Sequence, residues 1–141
     1  MAAAKLVVIG AGLIGREHCD LIRQHGGADL VGLADISEPA REYAHSNGYA
    51  FFSDYEEMLD RLIPDGAIVA LPNALHLIAG QACLSRGVPC LIEKPIAETV
   101  AAAKILVDAS ATLAVPVLVG HHRRYSPDIL QDHMEIRGIG I

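Results

Sequence analysis

Gly10, Gly12 and Gly15 stand in the spacing G-x-G-x-x-G at the end of the apolar run Lys5-Leu-Val-Val-Ile9, and Asp35 follows 20 residues after Gly15. Each position answers a demand made by an anionic diphosphate. Gly10 permits a tight turn, Gly12 removes a side chain where backbone must approach phosphate, and Gly15 lets a helix lie close to a strand. The helix that opens there aims unpaired N–H groups and a positive dipole end at the anion. The competing interpretation is an ordinary glycine-rich strand–helix turn. The preceding strand and the later acid favour dinucleotide binding.

Asp35 at this distance is placed to accept hydrogen bonds from ribose hydroxyls, each charged bond contributing about 1.5–3 kcal/mol. A 2′-phosphate would meet a carboxylate instead. At about 4 Å and an effective dielectric of about 20, that repulsion is on the order of 4 kcal/mol. Since about 1.4 kcal/mol is tenfold in affinity, NAD is expected over NADP by about two orders of magnitude or more. Arg41 is the nearest cation in sequence and could soften that preference. The plainer role for Asp35 is a solvated turn acid or helix cap.

Further polar groups fall where strands should end. Asn73 is expected to cap a helix beginning at Ala74, and His76 falls in the same first turn as either a packed surface histidine or a cofactor contact. Glu93-Lys94-Pro95 closes another apolar run. Alternation along a strand would send Glu93 and Lys94 to opposite sides, and Pro95 stops further pairing. A lysine held there could stabilise charge developing on a substrate oxygen, or pass on its proton; a solvated ion pair is the alternative. His121-His122-Arg123-Arg124 suits an anion or sugar contact, or a surface patch. Adjacent histidines without a carboxylate or Cys at ligand spacing do not suggest a metal site.

The elements needed to place these groups follow from periodicity and punctuation. Strands are expected at Lys5–Ile9, Leu30–Ala34, Ala50–Phe52, Gly66–Leu71, Pro89–Ile92 and Pro116–Val119. Helices are expected at Leu13 to about His25, Glu38–Ser46, Asp54–Leu62, Ala74–Arg86 and Glu98–Leu113. On the first helix Leu13, Ile14, Leu21 and Ile22 read as one apolar stripe. This βαβ alternation with short Gly, Pro and Asn turns demands an α/β fold: a Rossmann-type, doubly wound, mostly parallel sheet with helices on both faces. Ligands bind outside the carboxyl ends of such strands, and nearly every polar cluster named above lies there. Residues 1–120 read as one dinucleotide-binding domain. Residues 121–141, with a possible helix from Asp128 to about Glu135, read as the start of a connection to a further domain.

The bulk properties narrow the class. The chain has 141 residues, enough for one domain. No stretch nears the roughly 20 apolar residues of a membrane span, and Met1-Ala-Ala-Ala-Lys5 leads directly into the first strand, leaving no room for a leader in this interpretation. Cys19, Cys83 and Cys90 form no CxxC pair and read as small buried thiols of a reduced, cytoplasmic protein. A formal charge of −6 argues against general nucleic-acid or membrane-surface binding. At 52% hydrophobic residues and a mean hydropathy of +0.34, the chain is apolar for a small domain. Buried parallel strands explain part of this, and a surface meant to be covered would explain the rest.

The pieces Gly10-Ala-Gly-Leu-Ile-Gly-Arg-Glu-His18, Leu71-Pro-Asn-Ala-Leu-His76, Glu93-Lys-Pro95 and Gly120-His-His-Arg-Arg-Tyr-Ser-Pro127 occur in this order. Together they resemble the amino-terminal domain of the glucose–fructose oxidoreductase/inositol dehydrogenase/rhizopine-catabolism (Gfo/Idh/MocA) family. The resemblance implies a nicotinamide-dependent dehydrogenase of a sugar, cyclitol or related hydroxy compound. It implies that the glycine loop (Gly10, Gly12, Leu13, Ile14, Gly15) and Asp35 with Ile36 hold the adenosine half of NAD. Leu71, Pro72, Asn73 and His76 would line the groove, and Glu93, Lys94 and His122 would complete the cofactor contacts. Lys94 would face nicotinamide and substrate as the catalytic residue, with the roles of Arg123 and Arg124 open.

Members of that family continue into a second α/β domain that covers the nicotinamide, and the present sequence holds no recognisable part of it. Its expected function is therefore cofactor binding with little or no turnover alone. The alternatives are a non-catalytic NAD-binding or sensing module, or half of an enzyme completed by a partner chain. A polyol or sugar substrate is expected only where a second domain completes the site. A homo-oligomer, or association through an exposed apolar face, is expected.

Overall fold

The computed structural model describes residues 2–121. Its strands are β1 (Ala4–Ile9), β2 (Ala28–Ala34), β3 (Phe51–Phe52), β4 (Gly66–Val69), β5 (Cys90–Ile92) and β6 (Val117–Val119). Its helices are α1 (Leu13–Gln24), α2 (Glu38–Asn47), α3 (Tyr55–Leu62), α4 (His76–Ser85) and α5 (Val100–Leu113), with a 3-10 turn at Asn73–Leu75. The strands form one sheet in the order β3-β2-β1-β4-β5-β6, parallel throughout.

Local sequence accounts for most boundaries. The Ser37 hydroxyl accepts from the Ala40 N–H at the start of α2, and Gly48 at φ 74° ends that helix. Asp54 and Thr99 cap α3 and α5 in the same way. These oxygens satisfy donors that the first turn of a helix leaves free. Asn73 does not act as expected: the helix opens through the 3-10 turn at Asn73–Leu75, and α4 begins only at His76 without a side-chain cap.

Period-two alternation divides the core between the two faces. Val7 and Ile9 pack with Met58, Ala79, Cys83 and Leu106 beneath α3, α4 and α5. Val8, between them, packs with Cys19, Ile22, Leu33, Ala40 and Ala44 beneath α1 and α2. Each large side chain so buried stabilises the fold by about 1.5–3 kcal/mol. All three cysteines are buried free thiols.

The inward face of α1 differs from the expected stripe. Gly15, Cys19 and Ile22 face the sheet, whereas Leu13 is 77% and Leu21 61% exposed. Small residues at Gly15 and Cys19 let the helix lie close to the strands. The bulky apolar residues are consequently turned toward the groove and solvent. At the opposite end of the sheet Leu118 is 61% exposed, in register with Leu91 and Ile68 across β5 and β4.

Candidate cofactor-binding site

Successive connections run outward from β1 to β3, then cross back to β4 on the other side of β1. The connections therefore reverse their direction across the sheet between β1 and β4, and ligands in open α/β sheets bind in the crevice such a switch leaves. Gly10 follows β1 at that crevice and Ala70 follows β4. Because every strand is parallel, Asp35, Leu71, Glu93 and Gly120 emerge on the same edge.

The three glycines have separate structural reasons. Gly10 adopts φ +98°, and a Cβ there would run into the Ala70 carbonyl. A Cβ on Gly15 would collide with the Gly10 carbonyl oxygen, so this glycine sets the approach of α1 to the turn. A Cβ on Gly12 would meet nothing within 4 Å. Gly12 is the N-cap of α1, and that end carries neither a side-chain cap nor an acidic residue. The ends of α2, α3 and α5 are closed by their own side chains. The opening of α1 thus retains free N–H groups beside open space, as an anion requires.

Asp35 is part of the same turn. Its Oδ2 accepts from the Ala11 N–H at 2.7 Å and its Oδ1 from the Ser37 N–H at 2.8 Å. Burial by itself would raise its pKa, but the hydrogen bonds from Ala11, Ser37 and Ile36 together hold it below the usual carboxylate value. Each oxygen has a further lone pair for an outside donor. Arg41 pairs with Glu38 at 3.3 Å and lies 5.0 Å from the centre of the Phe51 ring.

Two cavities flank the turn. One, of about 290 Å³, lies beside Asp35 and is walled by Ile36, Ser53, Tyr55, Leu71, Pro72 and Leu75. The other, of about 470 Å³, is lined by Ile14, His18, Asn73, Glu93 and Lys94 and backed by His76. Of the residues expected at the site, Ile36, Leu71 and Pro72 thus come together on the Asp35 side. Ile14, Asn73, Glu93 and Lys94 come together on the other, while Leu13 projects to the outside. His122, Arg123 and Arg124 lie outside the described residues.

His76 is neither a surface residue nor freely presented to the groove. It is fully buried, with Nδ1 2.8 Å from the Pro95 carbonyl and Nε2 2.7 Å from the Leu71 carbonyl. It ties the loop after β4 to the segment after β5. Glu93 and Lys94 lie beyond β5, which ends at Ile92, so strand alternation does not separate them and both reach the same groove. Glu93 pairs with His18 at 2.7 Å, a partner that sequence reasoning missed. The available signal was helical spacing, since Ile14, His18 and Leu21 recur at i, i+4 and i+7. Ser53, Tyr55 and Leu75 were also missed, because a cavity wall built from three separate loops has no sequence period.

The family model described as "Oxidoreductase family, NAD-binding Rossmann fold" (Gfo/Idh/MocA) matches residues 4–121. The chain belongs to this family. Similar proteins include the rhizopine catabolism protein MocA of Rhizobium meliloti, 28% identical over 140 residues, covering 97% of this chain and 43% of that protein. Glucose-6-phosphate 3-dehydrogenase of Bacillus subtilis is 33% identical over 122 residues, covering 86% of this chain and 34% of its own length. Among solved structures, the WlbA dehydrogenase of Bordetella pertussis in complex with NADH and UDP-GlcNAcA superposes with a TM-score of 0.91 at 25% identity. That match covers 96% of this family member and 42% of the other chain. The chain spans less than half the length of each of these relatives. No described helix is long and apolar enough to cross a membrane.

Proposed function

We propose that this family member binds NAD across the sheet edge, as the cofactor half of a dehydrogenase acting on a sugar or cyclitol hydroxyl. The observation that carries this reading is the uncapped opening of α1 between two cavities. A diphosphate over Gly12 would send adenosine toward Asp35 and nicotinamide toward Lys94. The apolar wall of Ile36, Pro72 and Leu75 suits an adenine ring, and the free lone pairs of Asp35 suit the ribose hydroxyls. The engagement of Arg41 with Glu38 and Phe51 leaves Asp35 to set the preference for NAD over NADP.

When bound, the nicotinamide ring supplies a hydride acceptor. Lys94, exposed beside the groove, would hold a substrate hydroxyl and stabilise or relay the proton it loses. Residues 2–121 form one wall of that site, so turnover by this chain alone is expected to be slow or nil. Exposed Leu13, Leu21 and Leu118 favour a second reading, in which a covering domain, a second copy or another chain completes the enzyme. Such an apolar surface is suited to an interface. What supports a reduced, cytoplasmic location is that Cys19, Cys83 and Cys90 are buried free thiols.

Calorimetric titration with NAD and NADP, followed by turnover assays with a panel of polyols, tests these statements. Tight NAD binding with weak NADP binding is the expected result, and equal affinity would defeat the role given to Asp35. Robust turnover by the isolated chain would contradict its being only the cofactor half.

A further inference from the structure

His18 stands on the second turn of α1 and Glu93 just past β5. Their side chains meet at 2.7 Å and are only 19% and 16% exposed. An ionised carboxylate only accepts hydrogen bonds, so the ring donates from Nε2. That donor exists both in the neutral Nε2–H tautomer and in the imidazolium. Protonation therefore preserves the contact and alters only its charge, from −1 for the pair to zero. Glu93 is also confined from the other side, since a Cβ on Gly120 would lie 2.9 Å from its carboxyl group. Both partners line the groove that contains Lys94.

We propose that His18 is a positioning residue that sets the charge Glu93 presents to the nicotinamide end of the groove, so that its protonation weakens binding of oxidised relative to reduced cofactor. This rests on the reading above that nicotinamide occupies that end. The oxidised ring carries a positive charge and the reduced ring none. A carboxylate with a neutral histidine partner attracts only the oxidised form; a paired imidazolium cancels that attraction. Loss of the proton from the His18 imidazolium should therefore raise the preference for NAD+ over NADH, by about tenfold.

Other charged or titratable groups surround the pair. Glu17 and Lys94 line the same groove, His76 backs it, and His121 follows the Gly120 that packs on Glu93. On α1 itself Asp20 pairs with Arg23, and Arg16 stacks on Tyr43. A pH effect alone would not single out His18, so the variants decide the matter.

Affinities of the purified chain for NADH, by its fluorescence, and for NAD+, by competition, would be measured from about pH 5.5 to 8.5. The ratio should rise with pH in the wild type. His18→Gln keeps an amide donor that does not titrate, and should hold the ratio flat near its high-pH value. Glu93→Gln removes the negative charge but leaves His18 able to gain a proton, so its ratio should start near the wild type's low-pH value and fall further as the pH drops; it tests the same charge should the His18 variant fold poorly. A wild-type ratio that ignores pH, or one that still moves in a folded His18→Gln protein, overturns the proposal while cofactor binding stands. Failure of the wild type to bind either cofactor at any pH overturns the underlying reading, and this inference with it.

Discussion

Asp35 holds the glycine turn from within: its Oδ2 accepts the Ala11 N–H at 2.7 Å, between Gly10 and Gly12. The acid proposed to read a ribose thereby also shapes the loop proposed to hold the diphosphate. Asp35→Ala should weaken NAD binding more than tenfold, beyond about 1.4 kcal/mol. It should also lower unfolding stability by about 1–3 kcal/mol, because the Ala11 and Ser37 donors lose their acceptor. Calorimetry and urea denaturation would read the two effects, and intact stability would show that the acid does not brace the turn.

The same hydrogen bonds give stability an acid limb. The pKa of Asp35 is lowered in the folded chain, the donors from Ala11 and Ser37 outweighing burial. A depressed folded pKa contributes stability above the unfolded value of about 3.9, and that contribution is lost as pH falls through the folded value. Urea midpoints of wild type and Asp35→Asn should therefore differ at neutral pH and converge below about pH 4. A constant gap across that range would count against the linkage.

Gly12 and Gly15 should separate binding from folding. Gly12 has φ −70° and a Cβ there meets nothing within 4 Å. Gly12→Ala should thus change stability by less than about 0.5 kcal/mol while reducing NAD affinity at least about tenfold. Gly15→Ala drives a Cβ into the Gly10 carbonyl and should lower both together. Thermal melts run alongside NAD titrations distinguish the cases.

His76→Ala should act mainly on stability. The change removes a buried ring set between the Leu71 and Pro95 carbonyls and leaves a cavity. A loss of about 2–4 kcal/mol is expected from the stranded polar groups and lost packing together. Chemical denaturation would measure it, and a change confined to NAD affinity would contradict this strut role.

Lys94→Ala is expected to leave NAD affinity within about twofold, a difference of less than 1 kcal/mol. In the assembled enzyme it should lower kcat by about 10²–10⁴-fold, the range for loss of a positioned acid–base group. Weaker NAD binding at unchanged kcat would assign Lys94 to holding the cofactor instead.

Much of this was legible because its causes are local. Gly10 at φ +98° answers to a few neighbouring residues, so type and spacing reveal it. The failures share a different cause. Hydropathy groups Leu13, Ile14, Leu21 and Ile22, yet the side of α1 that faces inward was decided by how near Gly15 and Cys19 let it approach the sheet. Asn73 has the chemistry of a cap, but the 3-10 turn at Asn73–Leu75 moved the start of α4 to His76.

By itself the amino-acid order determined the parallel α/β architecture, the edge on which polar groups collect, and the glycine turn, since each follows from short-range sterics and apolar periodicity. Only the tertiary structure decided that His76 would be interior, that Glu93 would take His18 as its partner, and that Asp35 would brace Ala11. Each of those contacts joins segments from different strand ends. Their distances depend on how closely helices and strands pack, a quantity that no single segment contains.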